Sequence, residues 1–458
     1  MKKYDAIVIG TGQSGPSLAA RLTKEGMKTA IIERKLFGGT CVNVGCIPTK
    51  TLVASARAAY IARRAAEFGV VIDGPVRVDM QRVKTRKDAV VRQSNEGVTR
   101  WLKNMPNLTV YEAHGRFEGP HAVRVNGELL QADKIFINVG TRANVPEMPG
   151  ISEVPYLTNS SMMEVDFLPK HLVIVGGSYV GLEFAQMYGR FGSPVTVVEM
   201  GPRLIAREDE EVCAAIKEML EGEGVEVRLN ARCMSVEKRG DQVAVKVSCD
   251  AAPDEVVGSH LLIAVGRVPN TDDLGLDKAG VKTDGRSFIV VDNELRTNVP
   301  GIWAVGDVNG RGAFTHTSYN DYEIIAANLF DGDRRKVTDR ITAYALYIDP
   351  PLGRVGMTEA EVRASGRKAL VGKMPMTRVG RARERSETQG FMKILVDAES
   401  KKILGAAILG IEGDEAIHSI LDVMYAGAPY TVIQRAVHIH PTVTELIPTL
   451  LGDLKPLQ

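Results

Sequence analysis

"DAIVIGTGQSGPSLAARLTKEGMKTAIIE", residues 5–33, decides the fold. "DAIVIG" is a short, branched apolar strand. "GTGQSG" follows, with Gly10, Gly12 and Gly15 in the G-x-G-x-x-G spacing. A helical pattern runs from Pro16 to about Glu25, where Gly26 ends it, and "KTAIIE" is the next strand, closing on Glu33. Each part has a mechanical role in holding a dinucleotide. Gly10 makes the tight turn, Gly12 lets backbone N–H groups approach a pyrophosphate, and Gly15 lets helix pack on strand. Glu33 stands where a carboxylate accepts hydrogen bonds from a ribose 2′-OH. The glycine spacing alone is shared by ordinary turns. Strand, helix, second strand and terminal acid together predict a βαβ nucleotide unit.

The unit recurs in "HLVIVGGSYVGLEFAQMYGRFGSPVTVVE", residues 171–199. Gly176 and Gly181 hold the outer glycine positions, and Glu199 is the terminal acid. Ser178 replaces the middle glycine and adds a side chain where the phosphate would approach. Two dinucleotide sites in one chain predict paired redox chemistry: one dinucleotide delivers hydride and the other, a flavin, receives it.

At 458 residues the expectation is two to four domains. The chain is 44% hydrophobic and 25% charged, with a net charge of +1, so neither nucleic acid nor an anionic membrane is expected as a partner. The N-terminus runs straight into a strand without a signal-peptide pattern. No apolar run approaches the ~18–20 residues of a membrane helix, and a cytoplasmic location is expected. "KIFINVGTRANVPEMPG" (134–150) and "HLLIAVGRVPN" (260–270) read as the crossings between two nucleotide units. "GIWAVGDV" (301–308) is a strand with Asp307 at its end, placed to bond a ribityl or ribose hydroxyl or simply to make a turn. From about Thr342, "TAYALYI", "FMKILVD" and "ILGAAILG" read as antiparallel strands that alternate with helix-like "DEAIHSILDVMYAG" and "TVTELIPTLL". That is the pattern of a separate α+β domain.

"GGTCVNVGCIPTK", residues 38–50, holds two of only five cysteines, Cys41 and Cys46. A reducing compartment makes such a pair redox-active or metal-binding more often than structural. Gly38-Gly39-Thr40 can open a helix, whose N-terminus stabilises thiolates. Five residues along an ideal helix separate Cα atoms by roughly 8–9 Å, whereas a disulfide wants about 4.4–6.8 Å. A bridge therefore needs a distorted turn, which Gly45 permits. A zinc site needs further Cys or His ligands nearby, and none stand there. The order of preference is redox pair, then zinc, then inert thiols.

With "GRVPN", "WAVGDV" and "HIHPTVTE", these motifs resemble the flavoprotein disulfide reductases, the class I pyridine nucleotide–disulfide oxidoreductases. The resemblance covers essentially the whole chain. It implies an α/β fold of two Rossmann-like dinucleotide-binding domains plus a C-terminal α+β dimerisation domain. FAD would occupy residues 1–150 and 266–338, NAD(P)H residues 151–265, and the dimer interface residues 339–458. Cys46 would be the flavin-proximal thiol of a Cys41–Cys46 disulfide, and Cys41 the thiol that attacks substrate. Lys50 would lie beside the flavin with Glu183 as its carboxylate partner, and Tyr179 matches an aromatic that in some members covers the nicotinamide pocket. His440, directly before Pro441, would be the general acid/base, with Glu445 its partner, serving the other subunit of an obligate homodimer. Thr442-x-x-Glu445 also reads as a helix capping box, and His438 is a near neighbour of His440.

The chain ends "LLGDLKPLQ" without the C-terminal cysteines of mercuric reductases or large thioredoxin reductases, and Thr49 stands where glutathione reductases usually carry a second lysine. "GCIPTK" and "HIHPTVTE" fit dihydrolipoamide dehydrogenase, while Tyr179 is more typical of other branches. "YIDPPLGRVGMTE" and "FTHTSYNDYE" look closest to the reactive-chlorine-resistance, mercuric-reductase-like flavoproteins. The expected function is an FAD-dependent NAD(P)H oxidoreductase that reduces a small disulfide or a metal ion in oxidative or metal stress, without a resident metal. Dihydrolipoamide dehydrogenase is the alternative, and a low-turnover flavin redox sensor the alternative from another class. Glu199 accepts from a 2′-OH and repels a 2′-phosphate, which favours NADH; Arg203 and Arg207 stand close enough in sequence to reverse that. Arg378, Arg381, Arg383 and Arg385 could suit an anionic partner, but they read first as a solvated or interface strand and are given no role.

Overall fold

The computed structural model describes residues 1–248 and 255–457. Cys249 lies outside them. The first βαβ unit forms as its pattern dictates. Ala6–Ile9 and Thr29–Glu33 are adjacent parallel strands, joined by the helix Gly15–Lys24. Ala6–Ile9 is buried along its whole length, as a central strand covered on both faces must be. The sheet is parallel, in the order Ile302–Ala304, Lys134–Ile137, Ala6–Ile9, Thr29–Glu33, Leu108–Glu112. The strand that closes it thus arrives from far along the chain, and it delivers Asp307 to the edge of the first glycine loop.

The second unit builds a smaller parallel sheet in the order Glu226–Arg228, Val195–Val198, Leu172–Val175, His260–Ile263. The chain leaves the first sheet through Thr141–Ala143 and returns through Arg267–Pro269, and these two segments pair antiparallel. From Ala343 onward a six-stranded antiparallel sheet carries the C-terminal region.

Two helix-like stretches are broken. "DEAIHSILDVMYAG" is two helices, Gly413–Ala416 and His418–Tyr425. "TVTELIPTLL" is a 3₁₀ turn, Thr444–Leu446, followed by the helix Ile447–Leu451. Pro448 accounts for the second break. It has no N–H to donate into a preceding turn, so it is suited to the first turn of a new helix.

The helix Cys46–Arg63 packs against the helix Tyr179–Phe191. Leu52 and Ala56 share one apolar core with Leu182, Phe184 and Tyr188 of the second unit and with Leu346, Leu352 and Phe391 of the C-terminal sheet. The cysteine helix is therefore locked between all three regions. Among the described residues no helix is long and apolar enough to cross a membrane.

Candidate active site

The cysteine turn is distorted, as a bridge requires. Gly38, at φ 90°, precedes a short helix, Gly39–Asn43, that carries Cys41. The helix then stops, and a second, 18-residue helix starts at Cys46. Gly45 makes the break at φ −128°, ψ −117°. A Cβ there would sit 2.8 Å from the Thr40 carbonyl oxygen, so only glycine fits without a shift. Both cysteines are free thiols here, on either side of the break. Each other's presence and the surroundings split their acidities. The Cys41 thiol lowers Cys46 to about 6, against the opposing effect of burial and with help from Thr315 and the Lys50 charge. The Thr315 hydroxyl lies 3.1 Å from Cys46 Sγ. Cys41 moves the other way, raised first by Cys46 and then by burial.

One turn along the same helix, Lys50 Nζ donates to both oxygens of Glu183, at 2.9 and 2.8 Å. Glu183 is nearly buried and also accepts from the backbone N–H of Tyr347 at 3.1 Å. The Lys50 ammonium lies 4.6 Å from the centre of the Tyr347 ring. The pair leaves a cation fixed beside the thiols, with neither charge buried alone.

The first glycine loop has the features of an FAD cradle. At Gly39, a Cβ would stand 3.0 Å from the Cα of Gly12, so the two glycine segments meet backbone to backbone. The helix Gly15–Lys24 has no acidic residue in its first turn and no side-chain cap, which leaves its positive end for a phosphate. Glu33 Oε2 accepts from the N–H and hydroxyl of Thr11 at 3.0 and 2.7 Å, so the acid is held at the loop. Asp307 follows the returning strand and accepts from Thr141 at 2.9 Å; burial raises its carboxyl. These residues fit FAD.

The second loop is built alike. Glu199 accepts from Gly177 N–H and Gly201 N–H, each at 2.7 Å. Gly176 has φ 115°, and a Cβ on Gly181 would fall 2.0 Å from the Gly176 carbonyl oxygen. Ser178 is the exposed N-cap of the helix Tyr179–Phe191 and makes no cap hydrogen bond. Tyr179 lies edge-on to Phe314 and Tyr344. Its hydroxyl donates to Glu208 Oε1 at 3.2 Å, and that oxygen also accepts from Tyr344.

His440 is 80% exposed, and its Nδ1 donates to Glu445 Oε2 at 2.8 Å. The capping box does not form. Thr442 turns back to the Ile439 carbonyl, and the carboxylate is taken by the imidazole. Within the chain no hydrogen bond joins His440 to the cysteine pair among the described residues.

Sequence reasoning brought forward the cysteines, Lys50, Glu183, His440 and Glu445. It missed Thr315, Tyr347, Glu208 and Tyr344. Thr315 lies 269 positions from Cys46, in a helix start with no local mark of a partner.

A family model, pyridine nucleotide-disulphide oxidoreductase, matches residues 4–321, and the dimerisation domain of the same family matches residues 342–451. The chain belongs to the pyridine nucleotide-disulphide oxidoreductases. As a flavoprotein of that family it uses FAD and NAD(P)H and is an oxidoreductase acting through disulfide chemistry. It is 36% identical to the probable pyridine nucleotide-disulfide oxidoreductase RclA of Escherichia coli K12, covering 99% of this chain and 100% of that one. It is 33% identical to the dihydrolipoyl dehydrogenase of Thermus scotoductus, covering 97% and 96%. A solved Cu(II) complex of the HOCl-induced flavoprotein disulfide reductase RclA from Escherichia coli superposes with a TM-score of 0.89 at 36% identity, covering 98% of this chain and 99% of that one. Within the family, this chain has the paired cysteines at the start of the helix Cys46–Arg63, the Lys50–Glu183 pair that joins that helix to Tyr179–Phe191, and the His440–Glu445 pair in the dimerisation domain.

Proposed function

We propose that this protein is a cytoplasmic, homodimeric NAD(P)H-dependent reductase of small disulfides that serves in oxidative stress. The observation that carries the reading is the geometry of the pair: two free thiols on either side of the helix break at Gly45, with the Thr315 hydroxyl 3.1 Å from Cys46 Sγ and the Lys50–Glu183 pair one turn further along. FAD, held at Gly10, Gly12, Gly15, Glu33 and Asp307, would supply the electron pair of NAD(P)H to the Cys41–Cys46 disulfide. The chain's own residues do the rest. His440 of the partner subunit, its Nδ1–H held by Glu445, takes the Cys41 proton on Nε2. Cys41 sulfur attacks one substrate sulfur, the substrate S–S bond breaks, and the departing thiolate takes that proton back from Nε2. Cys46 thiolate then attacks Cys41 sulfur in the mixed disulfide. The second substrate thiolate leaves, and the Cys41–Cys46 disulfide is restored.

Glu199 supports NADH over NADPH, because its carboxylate is held at the glycine loop by Gly177 N–H, with Gly201 N–H on its other oxygen, where a 2′-phosphate would meet a negative charge. A clear kcat/KM preference for NADPH sinks that part. A metal-ion substrate is the second reading, favoured by the Cu(II) complex of RclA. One panel tests all of these: steady-state NADH oxidation with lipoamide, oxidised glutathione, Cu(II), Hg(II) and a quinone. Turnover with the disulfides supports the proposal, turnover confined to the metals supports the second reading, and flavin binding with no turnover makes the chain a sensor.

A further inference from the structure

Four arginines stand close together at Arg378, Arg381, Arg383 and Arg385. Two are matched: Arg381 pairs with Glu384 at 3.0 Å and Arg385 with Glu412 at 2.7 Å. Among the described residues Arg378 and Arg383 pair with no carboxylate. It is these two, and not the matched ones, that line a cleft of about 410 Å³ shared with His438, His440 and Glu445.

The placement is fixed from beneath. Val379 and Ala382 are fully buried, in the same apolar core as Val443 and Ile447, which anchor the segment after His440. Between the two arginines, Gly380 lies so close to the acid of the pair that a Cβ there would be 3.7 Å from Glu445 Oε1. Glu445 spends its other oxygen on His440. Two unmatched guanidiniums therefore flank the imidazole on a rigid turn. Guanidinium presents a planar fork that matches a carboxylate with paired hydrogen bonds. A bare divalent cation is repelled by such a pair, and a neutral disulfide gains nothing from it.

We propose that Arg378 and Arg383 select the substrate: the small disulfide reduced here carries a carboxylate, bound by these arginines while its sulfur lies at His440. The inference rests on the disulfide reading above.

Lipoate and lipoamide test it, because they share one dithiolane and differ only in carboxylate against amide. The loaded holoenzyme should prefer lipoate in kcat/KM by about tenfold or more, the size expected for a charge-assisted hydrogen bond. The difference should lie in KM and narrow as salt is raised. The double variant Arg378→Gln/Arg383→Gln should bring the ratio near one with lipoamide turnover kept. Arg385→Gln should change nothing. A second probe pair follows NADH-reduced enzyme in a single turnover, with 5,5′-dithiobis(2-nitrobenzoate) as the anionic disulfide and 2,2′-dithiodipyridine as the neutral one. Ratios that the double variant leaves unmoved overturn the proposal. So does a double variant that dissociates the dimer and slows charged and neutral substrates alike, which would assign the arginines to acids of the partner. If wild-type enzyme reduces none of the four disulfides, the disulfide reading falls and this inference with it.

Discussion

Cys41 and Cys46 are the same side chain, yet their neighbours drive them apart. Cys46 begins a long helix, stands 3.1 Å from the Thr315 hydroxyl, and is lowered by Cys41, by Thr315 and by the Lys50 charge; burial opposes these and loses. In the two-electron-reduced holoenzyme, the long-wavelength absorption of a thiolate against flavin should persist until the pH falls to about 6. Cys46→Ser should abolish that absorption with flavin retained, while Cys41→Ser should keep it. A band that survives Cys46→Ser reverses the assignment of the two thiols. The role of Lys50 is tested by the sign of a shift. Its positive charge favours the thiolate, so Lys50→Met should raise the Cys46 pKa, and the band should disappear at a higher pH on acidification. The Glu183 charge, no longer neutralised, pushes the same way. A pH titration of the absorption in each variant reads both effects.

At the scale of elements, one glycine makes the redox pair possible. Gly45 stops one helix so that Cys46 can begin the next, with Thr40 O too near to admit a Cβ. Gly45→Ala should cost about 1–3 kcal/mol in local backbone strain. It should also weaken disulfide formation between Cys41 and Cys46, seen as two free thiols in the oxidised protein by mass-tag titration while flavin content is unchanged. Quantitative bridging in that variant would remove Gly45 from its role. The same scale explains what was legible in the sequence. Each βαβ unit is a continuous stretch whose strand, turn and helix signals sit within 29 residues, and both were read correctly. The cysteine pair was legible because two of only five cysteines stand together in a glycine-flanked stretch after a nucleotide unit; the spacing itself fits no ideal helix, and only Gly45 signalled the break. Thr442-x-x-Glu445 was ambiguous because cap and imidazole partner share one local pattern, and only folding shows which donor reaches the carboxylate. Glu208 was invisible, since its partner Arg354 lies 146 positions away in a strand with no charge pattern around it.

Across the whole molecule, that distant pair ties the second βαβ unit to the C-terminal sheet. Arg354 is 1% exposed and bonds Glu208, itself 0% exposed, at 3.0 Å, and it pairs with Asp209 at 3.0 Å. Arg354→Ala would leave buried Glu208 without its cation and Asp209 with Lys393 alone, at 3.3 Å, at a cost of about 3–5 kcal/mol. A urea midpoint that scarcely moves would show that the pair contributes little. The farthest-reaching consequence concerns two chains. His440 stands exposed on the C-terminal region of its own chain, while the cysteines lie just after the first nucleotide unit. If His440 serves the partner's thiols, Cys41→Ser and His440→Ala homodimers should each be nearly inactive with a disulfide. The His440 loss should be ~10²–10⁴-fold, the usual value of general acid–base help. NADH should still reduce the flavin in both, since neither side chain takes part in that step. Mixed dimers decide between the arrangements. Joining one subunit of each kind places both lesions in one site and leaves the other site with intact Cys41, Cys46 and His440. Activity should return to about half of wild type per verified heterodimer, by the counting of sites in a two-fold dimer. If His440 instead served its own subunit, each site would carry one lesion, and heterodimers would be as inactive as either parent.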